Sequence, residues 1–84
     1  MENSKIRIYG ADWCGDCRRA KRFFQEHQIA FEWIDTDRDK DAEAIVRSVN
    51  NGKRIIPTIF FEDGSILVEP SNAELAEKMG VNTL

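Results

Sequence analysis

The sequence predicts an α/β protein in which a four-stranded mixed sheet is flanked by three helices, in the order βαβαββα. Short runs that alternate or are rich in β-branched residues indicate the strands, and apolar residues recurring every three to four positions indicate the helices. A helix separates the first two strands, so these should pair in parallel. Only a turn signal, residues 62–65, separates the last two strands, so these should form an antiparallel hairpin.

The N-terminal part of the chain contains the first two strands and the first helix. Residues 5–9 alternate charged and apolar side chains and are predicted to form the first strand. Residues 10–12 break this pattern and lead to the next segment. Apolar residues at helical spacing predict a helix over residues 18–27, with arginines and lysines on its polar faces. Residues 29–34 are rich in aromatic and β-branched side chains and are predicted to form the second strand.

The charged segment 35–41 leads into the second helix. Alternate aspartates can ligate calcium, but no glycine or distal glutamate follows at the spacing of a calcium loop. A solvated loop is therefore the preferred interpretation. Residues 50–52, with the sequence Asn-Asn-Gly, should end the second helix in a left-handed cap. The apolar stripe of this helix is predicted to consist of Ala42, Ile45, Val46 and Val49.

The C-terminal third is predicted to contain the hairpin and the last helix. Residues 55–61 have the composition of a buried strand, and residues 66–68 form the returning strand. Ser71 and Glu74 stand at the spacing of a capping box, which predicts a helix that begins just after Ser71. Gly80 should end that helix.

Length, composition and charge restrict the class of protein. Eighty-four residues are enough for one domain, residues 1–84. Hydrophobic residues at 42% and charged residues at 32% are typical of a globular protein, which we expect to be a monomer. A net charge of -3 argues against nucleic acid as a partner. The longest apolar run, residues 55–61, is far too short to cross a membrane bilayer.

Both cysteines of the chain stand in one stretch, Trp13-Cys14-Gly15-Asp16-Cys17, between the first strand and the first helix. If the helix begins at Cys14, the two thiols lie about 5–6 Å apart, within the range that a disulfide requires. The free N–H groups and positive dipole end of a helix N-terminus favour a thiolate at Cys14. An activated thiolate with a second thiol in reach is suited to thiol–disulfide exchange.

Two other uses of the cysteine pair are less favoured. A zinc site needs four ligands, and His27 is the only further soft candidate, so we expect no metal. A structural disulfide is typical of small secreted domains, which usually carry four or more cysteines. One close pair, with no signal peptide before it, favours the cytoplasm and reversible redox use.

A strand, a Cys-x-x-Cys pair, a helix and Ile56-Pro57-Thr58 opening a further strand follow one another along the chain. This order resembles the glutaredoxins of the thioredoxin superfamily, and residues 48–58, 63–65 and 70–71 are most similar to the mycoredoxin-like branch. The resemblance implies a thioredoxin fold, no bound cofactor and the activity of a thiol–disulfide oxidoreductase. Its partners would be disulfide-containing proteins and a low-molecular-weight thiol, either glutathione or mycothiol.

The resemblance assigns roles to the residues of the dithiol. Cys14 would be the cysteine that attacks a substrate disulfide, and Cys17 the cysteine that resolves the mixed disulfide. Trp13 stands directly before them. It is either a packing residue or an apolar wall that shields the dithiol and contacts the substrate.

The resemblance also implies a binding site for the small thiol. Pro57 would follow a cis peptide bond, and the backbone of Ile56 would pair with the thiol substrate opposite the dithiol. Arg54 stands at a basic position that helps to hold a carboxylate of the thiol tripeptide. Ser71 and Asn72 begin the last helix, whose free N–H groups would hold a second carboxylate.

Two positions differ from the pattern of many glutaredoxins and keep other activities open. Ala11 stands where many members carry a lysine, and Glu69-Pro70 replaces a Gly-Gly pair. These differences leave room for a thiol other than glutathione. They also allow direct reduction by an NADPH-dependent flavoprotein reductase, in the service of a partner such as ribonucleotide reductase. A further alternative is an iron–sulfur carrier, in which two copies hold a cluster between their first cysteines.

Overall fold

A computed structural model describes residues 6–82 and contains helices and strands in the predicted order. The strands are β1 (Arg7–Gly10), β2 (Glu32–Asp35), β3 (Thr58–Phe60) and β4 (Ile66–Val68), and the helices are α1 (Gly15–Glu26), α2 (Lys40–Val49) and α3 (Asn72–Met79). The strands form one sheet in the order β2-β1-β3-β4. The prediction of a four-stranded mixed sheet with three helices is confirmed.

The position of β1 in the sheet determines where the dithiol lies. Ile8 of β1 stands opposite Trp33 of the parallel strand β2 and opposite Ile59 of the antiparallel strand β3. The strands β3 and β4 form the predicted antiparallel hairpin. Because β1 lies between β2 and β3, the segment that follows Gly10 leaves the sheet at the C-terminal end of a central strand. Binding sites of open α/β sheets commonly lie at such a position.

The helices cover both faces of the sheet. Because successive side chains of a strand point to opposite faces, Ile8 and Tyr9 of β1 enter different hydrophobic clusters. Ile8 packs with Phe24 of α1 and Leu75 of α3, whereas Tyr9 packs with Val46 of α2. All five side chains are at most 4% exposed. With helices packed on each side of it, β1 is a rigid support for the segment that follows.

The first and third strands differ in extent from their predicted ranges. The first strand, predicted over residues 5–9, is observed as Arg7–Gly10, and the prediction for Lys5 lies outside the described residues. The third strand, predicted over residues 55–61, is observed only as Thr58–Phe60. A cis proline interrupts the chain just before it, and proline has no N–H group to donate to a neighbouring strand.

The second strand begins later than predicted because the end of α1 extends into its range. The predicted range was residues 29–34, and the observed strand is Glu32–Asp35. Gln28 has a left-handed backbone with φ 57°, and the N–H of Ile29 still donates to the carbonyl of Phe24 over 2.9 Å. Such bonds satisfy the last carbonyls of a helix. They therefore delay the start of the strand.

The ends of α1 and α3 follow from their caps. The helix α1 begins at Gly15, earlier than the periodic run 18–27, and Cys14 is its N-cap residue, in agreement with the hypothesis that the helix begins at Cys14. In α3 the predicted capping box is present: the Ser71 side chain accepts from the backbone of Glu74, and the Glu74 side chain accepts from the backbone of Ser71. Gly80 has a left-handed backbone with φ 70° and ends the helix, as predicted.

The apolar stripe of α2 is only half buried. Ala42 and Val46 are buried, but Ile45 and Val49 are 40% and 39% exposed, so only part of the predicted stripe lies in the core. This helix covers its face of the sheet without a neighbouring helix, and only one edge of the stripe reaches the small cluster. The Asn-Asn-Gly segment after it has positive φ at its last two residues, as predicted.

Within residues 6–82, no helix combines the length and apolar character needed to span a membrane.

Candidate active site

Cys14 is the N-cap residue of α1. Its backbone is extended, and its carbonyl accepts a hydrogen bond from the N–H of Arg18 over 3.0 Å. Its Sγ accepts a hydrogen bond from the N–H of Cys17 over 3.4 Å. The N–H of Cys14 donates to the carbonyl of Ala11, which closes the turn after β1. The sulfur therefore lies, partly exposed, at the end of the helix where a negative charge is favoured.

Cys17 lies one turn further along α1 in very different surroundings. It is fully buried, and both thiols are free. Burial, reinforced by a hydrogen bond with the side chain of Cys14, raises the pKa of Cys17 to about 12. Cys17 therefore keeps its proton at neutral pH and can donate it in a hydrogen bond to the sulfur of Cys14. The pair combines one accessible sulfur with one buried and protonated sulfur.

The raised pKa of Cys17 makes the stability of the reduced protein depend on pH in alkaline solution. Between its ordinary pKa of 9.0 and the folded-state pKa of about 12, the unfolded chain has lost a proton that the folded chain keeps. The free energy of unfolding should therefore fall as pH rises through this window, by up to about 1.4 kcal/mol per pH unit from this one group. Below the window the contribution of Cys17 is complete.

Urea unfolding of the reduced protein between about pH 8 and about pH 10.5 measures this dependence. We expect Cys17→Ala to flatten the decline, since the substitution removes the buried thiol. An equal decline in both proteins would mean that other groups cause it.

A glycine at the end of β1 makes room for Cys17. A Cβ atom at Gly10 would lie 2.8 Å from Cys17 Sγ and 2.9 Å from a ring carbon of Trp33. The carbonyl of Gly10 also accepts hydrogen bonds from the N–H and hydroxyl of the buried Thr36, at 2.9 and 3.3 Å. From the sequence, Gly10 is only one of the residues that interrupt the first strand. A glycine at a strand end, four positions before the first cysteine of a dithiol, is the signal that would have found it.

The loop before β3 lies beside the dithiol. The Ile56–Pro57 peptide bond is cis, as the resemblance implies. Ile56 is buried in the same hydrophobic cluster as Cys17, and Cys14 packs against this cluster. Pro57 is fully buried, and its carbonyl accepts a hydrogen bond from the N–H of Glu69 over 2.8 Å. The fold thus brings together two cysteines and a proline loop that are some forty residues apart in the chain.

Trp13 and Arg54 meet at Asp37, a residue that the sequence did not single out. Trp13 is 63% exposed, and its Nε1 donates to Asp37 Oδ2 over 2.6 Å. Arg54 donates to Asp37 Oδ1 over 2.6 Å, and its guanidinium lies 5.5 Å from the centre of the Trp13 ring. Trp13 is therefore a surface residue and not a core residue. The sequence shows Asp37 only as part of the charged segment 35–41, which is typical of any solvated loop.

Arg19 of α1 is bonded to the N-terminus of α3. It donates to Asn72 Oδ1 over 2.7 Å and to the carbonyl of Pro70 over 2.9 Å. The N–H of Ser71 donates to the carboxylate of Glu74 over 2.7 Å within the capping box. Ser71 and Asn72, expected to help hold a carboxylate of the small thiol, thus already make hydrogen bonds within the chain.

His27 lies at the other end of α1 from the cysteines. It is the C-cap residue, and its ring lies 4.3 Å from that of Phe23. A helix of this length separates it from Cys14 by roughly 18 Å, so it cannot share a metal ion with the two thiols. Across residues 6–82, no group of three or more His, Cys, Asp or Glu side chains is arranged so that it could hold a metal.

The order of the strands, the two thiols at the start of α1 and the adjacent cis-proline loop together define a thiol–disulfide oxidoreductase with the thioredoxin fold. The glutaredoxin family model matches residues 6–66. The chain belongs to the glutaredoxin family, whose members are thiol–disulfide oxidoreductases.

Two relatives match nearly the whole chain. A Mycobacterium tuberculosis protein with a provisional glutaredoxin name is 38% identical over 94% of each chain. Mycoredoxin 1 of Corynebacterium glutamicum is 37% identical over 90% of this chain and 94% of its own. These relatives confirm the resemblance to glutaredoxins and to their mycoredoxin-like branch.

Solved structures confirm the fold class. A variant of a thioredoxin-like protein gives a TM-score of 0.81 at 20% identity, over 95% of this chain and 100% of its own. The glutaredoxin of Archaeoglobus fulgidus gives a TM-score of 0.73 at 20% identity, over 94% of this chain and 96% of its own.

Proposed function

We propose that this protein reduces protein disulfides, or mixed disulfides between a protein and a low-molecular-weight thiol, through Cys14 and Cys17. The observation that carries the proposal is the contrast between the two sulfurs. One is partly exposed at a helix N-terminus, and the other is buried and protonated. The reaction needs no bound cofactor, because exchange moves electrons between sulfur atoms alone. We expect it to take place in the cytoplasm, where thiols are kept reduced.

Cys14 carries out the first exchange. Its thiolate attacks one sulfur of the substrate disulfide, forms a new S–S bond to that sulfur and breaks the old one. The other sulfur leaves as a thiolate and takes a proton from water. The products are a mixed disulfide on Cys14 and one reduced thiol. Trp13 beside the sulfur and the backbone of Ile56 across from it would orient the incoming disulfide.

The mixed disulfide is then resolved by one of two thiols. In the two-thiol route, Cys17 gives its proton to solvent, attacks Cys14 Sγ and releases the second substrate thiol, which leaves a Cys14–Cys17 disulfide. In the one-thiol route, a small thiol attacks the small-thiol sulfur bonded to Cys14. The two small thiols leave together as a disulfide, and the Cys14 thiolate is restored.

The neighbouring sulfur also controls when Cys17 can act. Burial is the main cause of the high pKa of Cys17, and the hydrogen bond and charge of Cys14 add to it. Once Cys14 is part of a mixed disulfide, its negative charge is gone and its contribution to that pKa is lost. Cys17 should therefore deprotonate more readily after the first exchange than before it.

We propose mycothiol as the small thiol, with glutathione as the alternative. The identity of 37% to a protein named mycoredoxin 1 supports mycothiol. Position 11, where many glutaredoxins carry a lysine, is a fully buried alanine, so the chain has no cation there. A thiol without carboxylates has less need of that cation than glutathione does. Arg54, Ser71 and Asn72 remain the groups that would contact the polar part of the small thiol.

Direct reduction by an NADPH-dependent flavoprotein reductase is a second candidate. The segment Glu69-Pro70, which replaces a Gly-Gly pair, supports it. Glu69 has a left-handed backbone with φ 51°, and Pro70 is buried against the start of α3. Side chains at both positions restrict the close approach of a small molecule that glycines would permit. A reductase that presents its own cysteine to the dithiol does not need a small molecule to bind close to residues 69 and 70.

Turnover of a small mixed disulfide by the purified protein tests both candidates. The electron sources are mycothiol and glutathione, each with its own reductase, and thioredoxin reductase with NADPH. We expect mycothiol to sustain turnover. Turnover with thioredoxin reductase alone would select the second candidate, and no turnover with any source would contradict the proposed activity. An iron–sulfur carrier would instead show visible absorbance in the purified protein.

A further inference from the structure

Asp37 is the centre of a hydrogen-bonded cluster with Trp13 and Arg54. One of its carboxylate oxygens accepts from the Trp13 indole and the other from the Arg54 guanidinium, each over 2.6 Å. The backbone N–H of Asp37 donates to Asp35 Oδ1 over 2.8 Å, which anchors the backbone of Asp37 to the end of β2. The Asp37 side chain is still 44% exposed. Its remaining lone pairs are therefore accessible to a ligand.

Two residues of the cluster come from the segments that carry the attacking sulfur and the cis proline. Trp13 directly precedes Cys14, and Arg54 lies three residues before the cis proline Pro57. A small thiol joined to Cys14 and lying along the backbone of Ile56 would extend its polar part toward this cluster. The charge that such a ligand meets is therefore set by Asp37 as well as by Arg54.

We propose that Asp37 determines which small thiols this protein accepts, disfavouring those that carry a carboxylate. This inference rests on the proposed reaction of small thiols at Cys14. Asp37 already holds the positive charge of Arg54, and Glu43 lies 4.0 Å from the same guanidinium. A ligand carboxylate near Arg54 must approach a second negative charge, which costs energy. A hydroxyl group can instead donate a hydrogen bond to Asp37.

The start of α3 has the same bias. The N–H of Ser71, one of the groups available for a second ligand carboxylate, is already bonded to the carboxylate of Glu74. A negative ligand group would meet a protein carboxylate here too, beside the single positive charge of Arg19. At Arg54 and at the start of α3, a carboxylate of the protein already occupies groups that a carboxylate of the small thiol would otherwise bind.

Binding of a blocked thiol tests the proposal independently of turnover. The probes are S-methylglutathione and its diethyl ester, which have the same backbone with and without carboxylates. Titration of either probe is followed by the NMR signal of the Trp13 indole N–H, which gives a Kd for each variant. The variant is Asp37→Asn, because asparagine keeps an oxygen for the Trp13 hydrogen bond and loses the charge.

We expect Asp37→Asn to lower the Kd of the carboxylate probe by about threefold to fivefold, the size typical of exposed charge pairs. The Kd of the ester should stay the same. The gain should disappear when Arg54→Gln is added, because the gain arises from freeing Arg54. The control is Glu26→Gln, which makes the same charge change at the far end of α1 and should change neither Kd.

The proposal is overturned if Asp37→Asn leaves the ratio of the two Kd values unchanged, or if neither probe shifts the Trp13 signal. An equal change in both Kd values would also overturn it, because Asp37 would then only position Trp13. Absence of turnover in wild type, with these Kd ratios as expected, would count against the proposed reaction and not against the selectivity.

Discussion

Replacing Cys14 by serine is expected to abolish disulfide reduction, with a loss of roughly a thousandfold or more in turnover. A serine hydroxyl is a far weaker nucleophile than a thiolate. The remaining thiol, Cys17, cannot substitute for it, because it is fully buried and burial raises its pKa to about 12. Steady-state reduction of a small mixed disulfide, with the electron source that sustains wild-type turnover, measures the loss.

The matched control is Cys17→Ser. With a small thiol as electron source, this variant should keep at least about a tenth of the wild-type rate, because the one-thiol route uses only Cys14. With a reductase as the only source it should lose most of its activity, since no Cys14–Cys17 disulfide can form. A Cys14→Ser protein that kept an appreciable rate would show that the attacking sulfur has been misassigned.

Periodicity was sufficient to predict the fold because every helix and strand has one face that must be buried. The alternation around Ile8 and the spacing around Phe24 and Leu75 identify side chains that are all fully buried in the core. The caps were equally readable, since Ser71, Glu74 and Gly80 have specific backbone requirements. Local chemistry of this kind does not depend on distant parts of the chain.

The errors occur where local patterns do not determine the outcome. Nothing in the sequence marks Gln28 as the left-handed residue that delays the second strand, because that conformation usually favours glycine or asparagine. Ile45 and Val49 have the spacing of core residues, but their burial depends on whether a second helix packs beside α2. That depends on the arrangement of the whole sheet and its helices.

The candidate site divides in the same way. Cys14 and Cys17 stand three positions apart in the chain, and their spacing alone predicts their geometry. The contacts of Asp37 become visible only when the loop after β2, the residue before Cys14 and the loop before β3 come together. An aspartate in a charged run carries no signal of such partners. Its contacts with Trp13 and Arg54 are products of the fold.

Replacing Gly10 by alanine is expected to destabilise the reduced protein by about 1–3 kcal/mol, the usual cost of adding a carbon to a tightly packed region. The new Cβ would lie 2.8 Å from Cys17 Sγ and 2.9 Å from the Trp33 ring, so at least one of these side chains must move. Moving Cys17 away from Cys14 should also slow formation of the internal disulfide. Urea unfolding and the rate of that disulfide's formation measure the two effects.

Gly15→Ala is the matched control, since it adds the same atom in the first turn of α1. A Cβ there would approach nothing closer than 4.0 Å, the distance to an Arg18 nitrogen. Alanine in place of glycine in a helix should stabilise the protein by about 0.5–1 kcal/mol. If the cost at Gly10 comes from the clash with Cys17, adding Cys17→Ala should recover part of it, the rest being due to Trp33. Equal stabilities of the two alanine variants would show that Cys17 and Trp33 can move at little cost. Gly10 would then not fix the position of the resolving thiol.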